Sequence, residues 1–208
     1  MPRYGRIDDE YGRHLAVSRD SEPIYMLNLT KYRSAAGRCE YAVADQIADA
    51  RYAPIPVLSA VGATLCFVAD VVASSGDWDQ VSVVSYPTRR AFIDIALRPD
   101  FQDWHVQKQA GMERATVLGT LPVARLPEAA STRLVLLEVW NGAAPAPVAN
   151  GPAAAFDVEG TIVGDGRDWS GARYTTIEPG TPLPLLEPRL DYQALLLEPS
   201  IEHWQWAS

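Results

Sequence analysis

Apolar and polar positions change period several times along the first 124 residues. Residues 1–22 are polar and charged with no period, which predicts an arm without regular structure. Ile24-Tyr25-Met26-Leu27-Asn28-Leu29 is an apolar run of strand length. After a turn at Ser34–Gly37, Tyr41, Ala44, Ile47, Ala48 and Tyr52 recur at helical spacing, with Glu40, Asp45 and Asp49 between them. That spacing predicts an amphipathic helix, ended by Pro54 and Pro56. Val57–Val61 reads as a connector or a further helical turn. Residues 63–72 are rich in β-formers, Ser74-Ser75-Gly76 marks a turn, and 78–86 alternate, so the two runs predict an antiparallel hairpin. Pro87-Thr88 opens a helix with Thr88 as its N-cap and Ala91, Phe92, Ile95 and Ala96 as its apolar face. Pro99 interrupts it, 100–114 reads as a second helical piece, and 117–123 closes as a strand. The order strand, helix, strand, strand, helix, strand predicts an α+β unit of the ferredoxin-like type over 22–123.

Beyond a Pro-containing linker at 124–132, the pattern restarts with Arg133-Leu134-Val135-Leu136-Leu137-Glu138-Val139-Trp140. At an offset of 91, Asp77-Trp78 falls on Asp168-Trp169, and Asp100-Phe101-Gln102 falls on Asp191-Tyr192-Gln193. The first strands need an offset of 110, so about 19 residues are missing between them, where the first helix would lie. Pro145, Pro147 and Pro152 exclude a helix there, since an interior proline costs on the order of 3 kcal/mol. Pro179, Pro182, Pro184 and Pro188 damage the other helical region, leaving a short helix expected near 192–197. The expectation is an α+β fold of tandem ferredoxin-like units whose antiparallel sheets pair as an α+β barrel. It comprises an arm at 1–21, an intact unit at 22–123 and a degenerate one at 132–208. Whether such a barrel closes within one chain or through a homodimer is open.

Composition narrows the partners more than the chemistry. The chain has 208 residues and a net charge of −8. That balance disfavours nucleic acid and anionic membrane surfaces, which call for a basic footprint. No apolar stretch follows Met1-Pro2-Arg3-Tyr4-Gly5-Arg6, and no run is long enough to span a membrane, so a cytoplasmic protein without a signal peptide is expected. Cys39 and Cys66 form no metal or redox spacing and read as small core residues. Lys31 and Lys108 stand against sixteen arginines, a bias of GC-rich bacterial genomes.

Three segments carry a resemblance. Tyr25–Arg33, Trp78–Phe92 and the pair Pro99-Asp100-Phe101-Gln102 and Ala110-Gly111-Met112-Glu113 resemble the family called domain of unknown function 1330. The resemblance covers residues 22–122. It implies the dimeric α+β barrel superfamily, which holds cofactor-free oxygenases, haem-degrading enzymes, dehydratases and cyclases. The motifs are structural, so the fold alone selects no reaction.

Candidate chemistry is sparse. No Gly-x-Ser-x-Gly, His-Glu-x-x-His or Cys-x-x-Cys occurs, and Gly164-Asp165-Gly166 reads as a hairpin turn. No metal and no cofactor is expected. Asn28 puts an amide in an apolar strand and must find a partner or face a cavity. Glu138 interrupts an apolar run in the same way, and a carboxylate facing an apolar cavity would have a raised pKa. His105 follows Trp104 on a helical piece and could exchange protons near neutrality; His14 sits in the arm and His203 in the tail. Tyr25, Tyr41, Trp78, Tyr86, Trp104 and Trp140 could line a cavity for a flat hydrophobic molecule or serve as core. The expectation is a cofactor-independent enzyme for a hydrophobic or polycyclic metabolite, catalysing cyclisation, isomerisation, dehydration or oxygenation. Asn28 would orient the substrate, and His105 or Glu138 would move the proton. The alternatives are a non-catalytic small-molecule binding or assembly protein and, third, a haem-binding oxygenase using His105 or His203.

Overall fold

A computed structural model describes residues 6–33, 55–124, 134–147, 151–178, 180–182, 186–187 and 189–202. In chain order these hold β1 (Arg6–Ile7), α1 (Asp9–Val17), β2 (Ile24–Tyr32), α2 (Ile55–Ser59), β3 (Thr64–Ser74) and β4 (Gln80–Tyr86). There follow α3 (Arg89–Ala96), α4 (Pro99–Gly111), β5 (Met112–Ala124), β6 (Leu134–Trp140), β7 (Ala153–Gly164), β8 (Gly171–Ile177) and β9 (Tyr192–Glu202). The local signals are ordinary ones. Thr88 accepts from the Ala91 N–H at 3.1 Å and caps α3, while Pro99 occupies the first turn of α4, where a missing N–H costs nothing.

The strands form one sheet in the order β7-β5-β2-β4-β3-β9-β6-β8, and β7 pairs with β8, so eight strands close into a ring within one chain. The pairings around it are antiparallel. β1 is a short addition to the outer edge of β7. A closed antiparallel β-barrel therefore replaces the expected pair of ferredoxin-like α+β units. Two observations overturn that expectation. One interior core is shared by strands of both halves, from Tyr25 and Phe67 to Leu137, Tyr174 and Leu195. Among the described residues, no helix follows β6.

The interior is filled. Tyr25, Phe156, Tyr174 and Phe67 make a chain of edge-to-face contacts across it, with centroids 5.6–5.7 Å apart. An eight-stranded barrel has room for side chains and little more. Outside, β2 and β4 are covered by α1, α2 and α3 through Tyr11, Leu15, Ile24, Met26, Leu58, Tyr86 and Ile95. Outside the second half, Leu136, Ile177, Ala194 and Leu196 pack with Leu186 from the segment before β9.

Two element expectations are corrected. The arm contains α1, capped by Asp8 through the Glu10 and Tyr11 N–H groups. Residues 192–197 are not helical but open β9, which pairs with β3 and β6 and is buried on both faces. Its Leu195-Leu196-Leu197 run suits either element by periodicity, and sheet closure selects the strand. The 91-residue offset therefore splits. Trp78 and Trp169 each stand two residues before a strand, whereas Asp100–Gln102 lie in a helix and Tyr192-Gln193 in a strand. The helix expected over 38–53 lies outside the described residues, as do Tyr41, Cys39 and His203. Cys66 is buried in the barrel interior.

Candidate functional site at the barrel mouth

The ring is open to a ligand at the end where β2, β3, β6 and β7 finish and β4, β5, β8 and β9 begin. A cavity of about 360 Å³ lies there. Ser75, Gly76 and Trp78 line it from the β3–β4 loop, and Arg114, Ala115 and Thr116 from the start of β5. Gly164, Asp165 and Arg167 contribute from the β7–β8 turn, and Arg189, Leu190 and Gln193 from the approach to β9.

One buried pair underlies the lining. The Trp78 indole Nε1 donates to Gln193 Oε1 at 2.9 Å, joining the two halves of the chain beneath the cavity. Gly76 makes room for the ring, since a Cβ there would lie 2.7 Å from Nε1. Asp77 takes a left-handed φ of 53°, unusual for a residue with a side chain. Its loop is pinned from two sides. Lys31 Nζ lies 2.8 Å from Asp77 and 3.0 Å from Asp79, and Arg114 Nη2 donates to the Gly76 and Asp77 carbonyls at 2.6 Å each. The hydrogen bonds to Lys31 hold the Asp77 carboxyl below its usual range and raise the Lys31 amine.

The walls carry guanidinium groups on aromatic rings. Arg114 lies 4.6 Å over Trp78, Arg167 4.7 Å over Trp169 and Arg189 5.6 Å over Tyr192. Arg167 pairs with Asp165 at 2.7 Å and Arg189 with Asp191 at 2.9 Å. Leu190, between Arg189 and Asp191, is 87% exposed at the rim.

Of the sequence-predicted residues that the structure describes, Trp78 lines this cavity and the others do not. Asn28 shares the outward parity of Ile24 and Met26, and its Nδ2 donates to the Met26 carbonyl at 2.9 Å. Glu138 also points outward, from β6, which stands opposite β2 in the ring. It is fully buried, accepts from Arg173 Nε and Tyr192 Oη at 2.8 Å each, and sits in a salt bridge rather than an apolar cavity. Hydrogen-bonding to Glu138 adds to burial in raising the Tyr192 hydroxyl. His105 lies on α4, stacked on Phe101 with centroids 5.7 Å apart. Burial, and then the nearby Lys108, lower its pKa. Lys108 itself is lowered to about 8 by burial, and its Nζ is 4.9 Å from the Trp104 ring centre.

Three further aromatics are packing residues. Tyr25 belongs to the interior chain, Tyr86 meets Phe92 edge-on beneath α3, and Trp140 stacks under Arg173 on the outer face. His14 lies in the last turn of α1, 3.5 Å from Glu159. Among the described residues, no histidine lines the mouth cavity. The mouth arginines were passed over in the sequence. Their signal was present: Asp165-Gly166-Arg167 precedes Trp169, and Arg189-Leu190-Asp191 precedes Tyr192.

No family model matches the chain, and no curated protein matches it. Two solved structures are similar. The crystal structure of methylated RPA0582 protein aligns at TM-score 0.47 and 21% identity, over 57% of this chain and 94% of that one. The RPA0582 protein of unknown function from Rhodopseudomonas palustris aligns at TM-score 0.42 and 23% identity, over 55% and 95% respectively.

Proposed function

We propose that the protein binds a small ring-bearing molecule at the barrel mouth and does not transform it. The observation that carries this reading is the cavity of about 360 Å³ with a pinned floor, a size suited to a metabolite. The expected proton-transfer set gives no support to catalysis, because Asn28 and Glu138 face outward from opposite strands and His105 lies on a helix. The mouth is preorganised instead: Lys31, Arg114 and Gln193 fix the loop that carries Trp78. The resemblance of residues 22–122 to domain of unknown function 1330 stays part of this proposal and assigns no reaction.

Thermal-shift screening of small ring-bearing molecules on the full chain, followed by hydrogen exchange with each hit, tests it. Protection should concentrate in 75–79, 164–167 and 189–193, and Asn28→Ala with His105→Ala should leave binding unchanged. Hits that protect only α3 and α4, or turnover lost in the Asn28/His105 variant, would sink it.

A further inference from the structure

The chain carries a net charge of −8, yet the mouth gathers three guanidinium groups against the single carboxylate of Asp165 along its lining. They come from three separate segments, β5, the β7–β8 turn and the approach to β9, so the clustering is a product of the closed ring. Two of them, Arg167 and Arg189, have carboxylate partners two residues away in the same loop. Those partners face solvent: the Asp165 side chain is 50% exposed and that of Asp191 is 56% exposed. Solvent screens these carboxylates, so a ligand anion placed in the cavity competes with partly hydrated partners for the two guanidinium groups. The third, Arg114, is fixed by two carbonyls through Nη2, which also lies 3.8 Å from the exposed Asp77 carboxylate, while its Nε is buried without a hydrogen-bond partner in the protein. Stacking on Trp78, Trp169 and Tyr192 holds the three planar groups in place. A planar fork of N–H donors matches a carboxylate or phosphate with two parallel hydrogen bonds. Leu190, exposed at the rim, offers carbon surface beside that charge.

We infer that the mouth selects an anion: a small planar ring bearing a carboxylate or phosphate, gripped by Arg167 and Arg189 with the ring towards Leu190. This rests on the proposed binding role of the same cavity and adds the ligand class to it.

Calorimetric titration of the full chain with 1-naphthoate, 1-naphthyl phosphate and the neutral 1-naphthamide separates the two readings. At least one anion should bind ten-fold or more tighter than the amide, and which anion is tighter tells carboxylate from phosphate. Arg167→Gln and Arg189→Gln should each weaken the anion five-fold or more and leave the amide unchanged. Arg98→Gln, which removes a similar arginine–aspartate pair at the start of α4, should alter neither. Amide and anions binding equally, or anion affinity insensitive to both mouth variants, overturns the anion inference and leaves the binding role standing. No binding of any of the three, together with no hit in the wider screen, overturns both.

Discussion

Glu138 shows how one residue acquires its role from its neighbours. A carboxylate in an apolar strand suggests a proton carrier, but its 0% exposed side chain is matched by Arg173, itself only 12% exposed. Arg173 Nη1 also donates to the Pro145 carbonyl at 3.2 Å, tying the proline-rich segment to the outer face of the barrel. Removing one partner of a buried pair strands the other charge. Glu138→Ala should therefore cost about 3–5 kcal/mol in urea unfolding, and Glu138→Gln less. Replacing both partners together, as Glu138→Leu with Arg173→Met, should recover most of the loss. A Glu138→Ala protein of unchanged stability would mean the pair does not hold this face.

The element most dependent on tertiary context is α1. Its sequence offers a capping aspartate but a weak apolar stripe, so its stability comes from docking. Tyr11 is seated where two glycines face it: a Cβ on Gly160 would lie 2.4 Å from its ring, and one on Gly119 2.0 Å from its hydroxyl. The hydroxyl donates to Glu159 at 3.1 Å, and Glu159 also takes Arg89 Nε at 2.8 Å and an ion pair with Arg89 Nη2. Gly160→Ala should destabilise the fold by about 1–3 kcal/mol through overpacking, seen as faster hydrogen exchange over 9–17 than over the β-strands. Acid should act on the same joint. Burial pushes the Glu159 carboxyl up, but the Arg89 and Tyr11 hydrogen bonds outweigh it and hold the group below its ordinary range. A lowered carboxyl stabilises the fold fully above its unfolded value, about 4.3, and that contribution disappears as pH falls through the folded value. Protection over 9–17, taken relative to the intrinsic exchange rate at each pH, should fall below about pH 4, ahead of global unfolding. Equal protection of α1 at pH 6 and pH 3 would contradict this.

For the whole molecule, closure has a thermodynamic consequence. The interior core draws on both halves, and β3–β9 and β5–β7 are the two seams between them. The chain should unfold in a single cooperative transition by calorimetry and by fluorescence, although its sequence divides near residue 128. A fragment of residues 1–124 should not fold alone, because it would expose the edges of β3 and β5 and half of an apolar interior. Two separate transitions, or a folded monomeric fragment, would contradict the shared core.

The sequence by itself determined what local chemistry controls. The strand at Ile24–Leu29, the hairpin over 63–86, the Thr88 cap, the break at Pro99 and the exclusion of a helix by Pro145, Pro147 and Pro152 all depend on neighbours a few residues away. Tertiary structure decided the rest. Both faces of β2, β6 and β9 are apolar, one turned to the interior and one covered by helices or proline-rich segments. Alternation therefore states that Asn28 and Glu138 oppose their neighbours, but not which parity faces inward. The mouth site was invisible for a related reason. Trp78, Arg114, Arg167, Arg189 and Gln193 are spread over 116 positions of chain, and only ring closure brings them to one cavity.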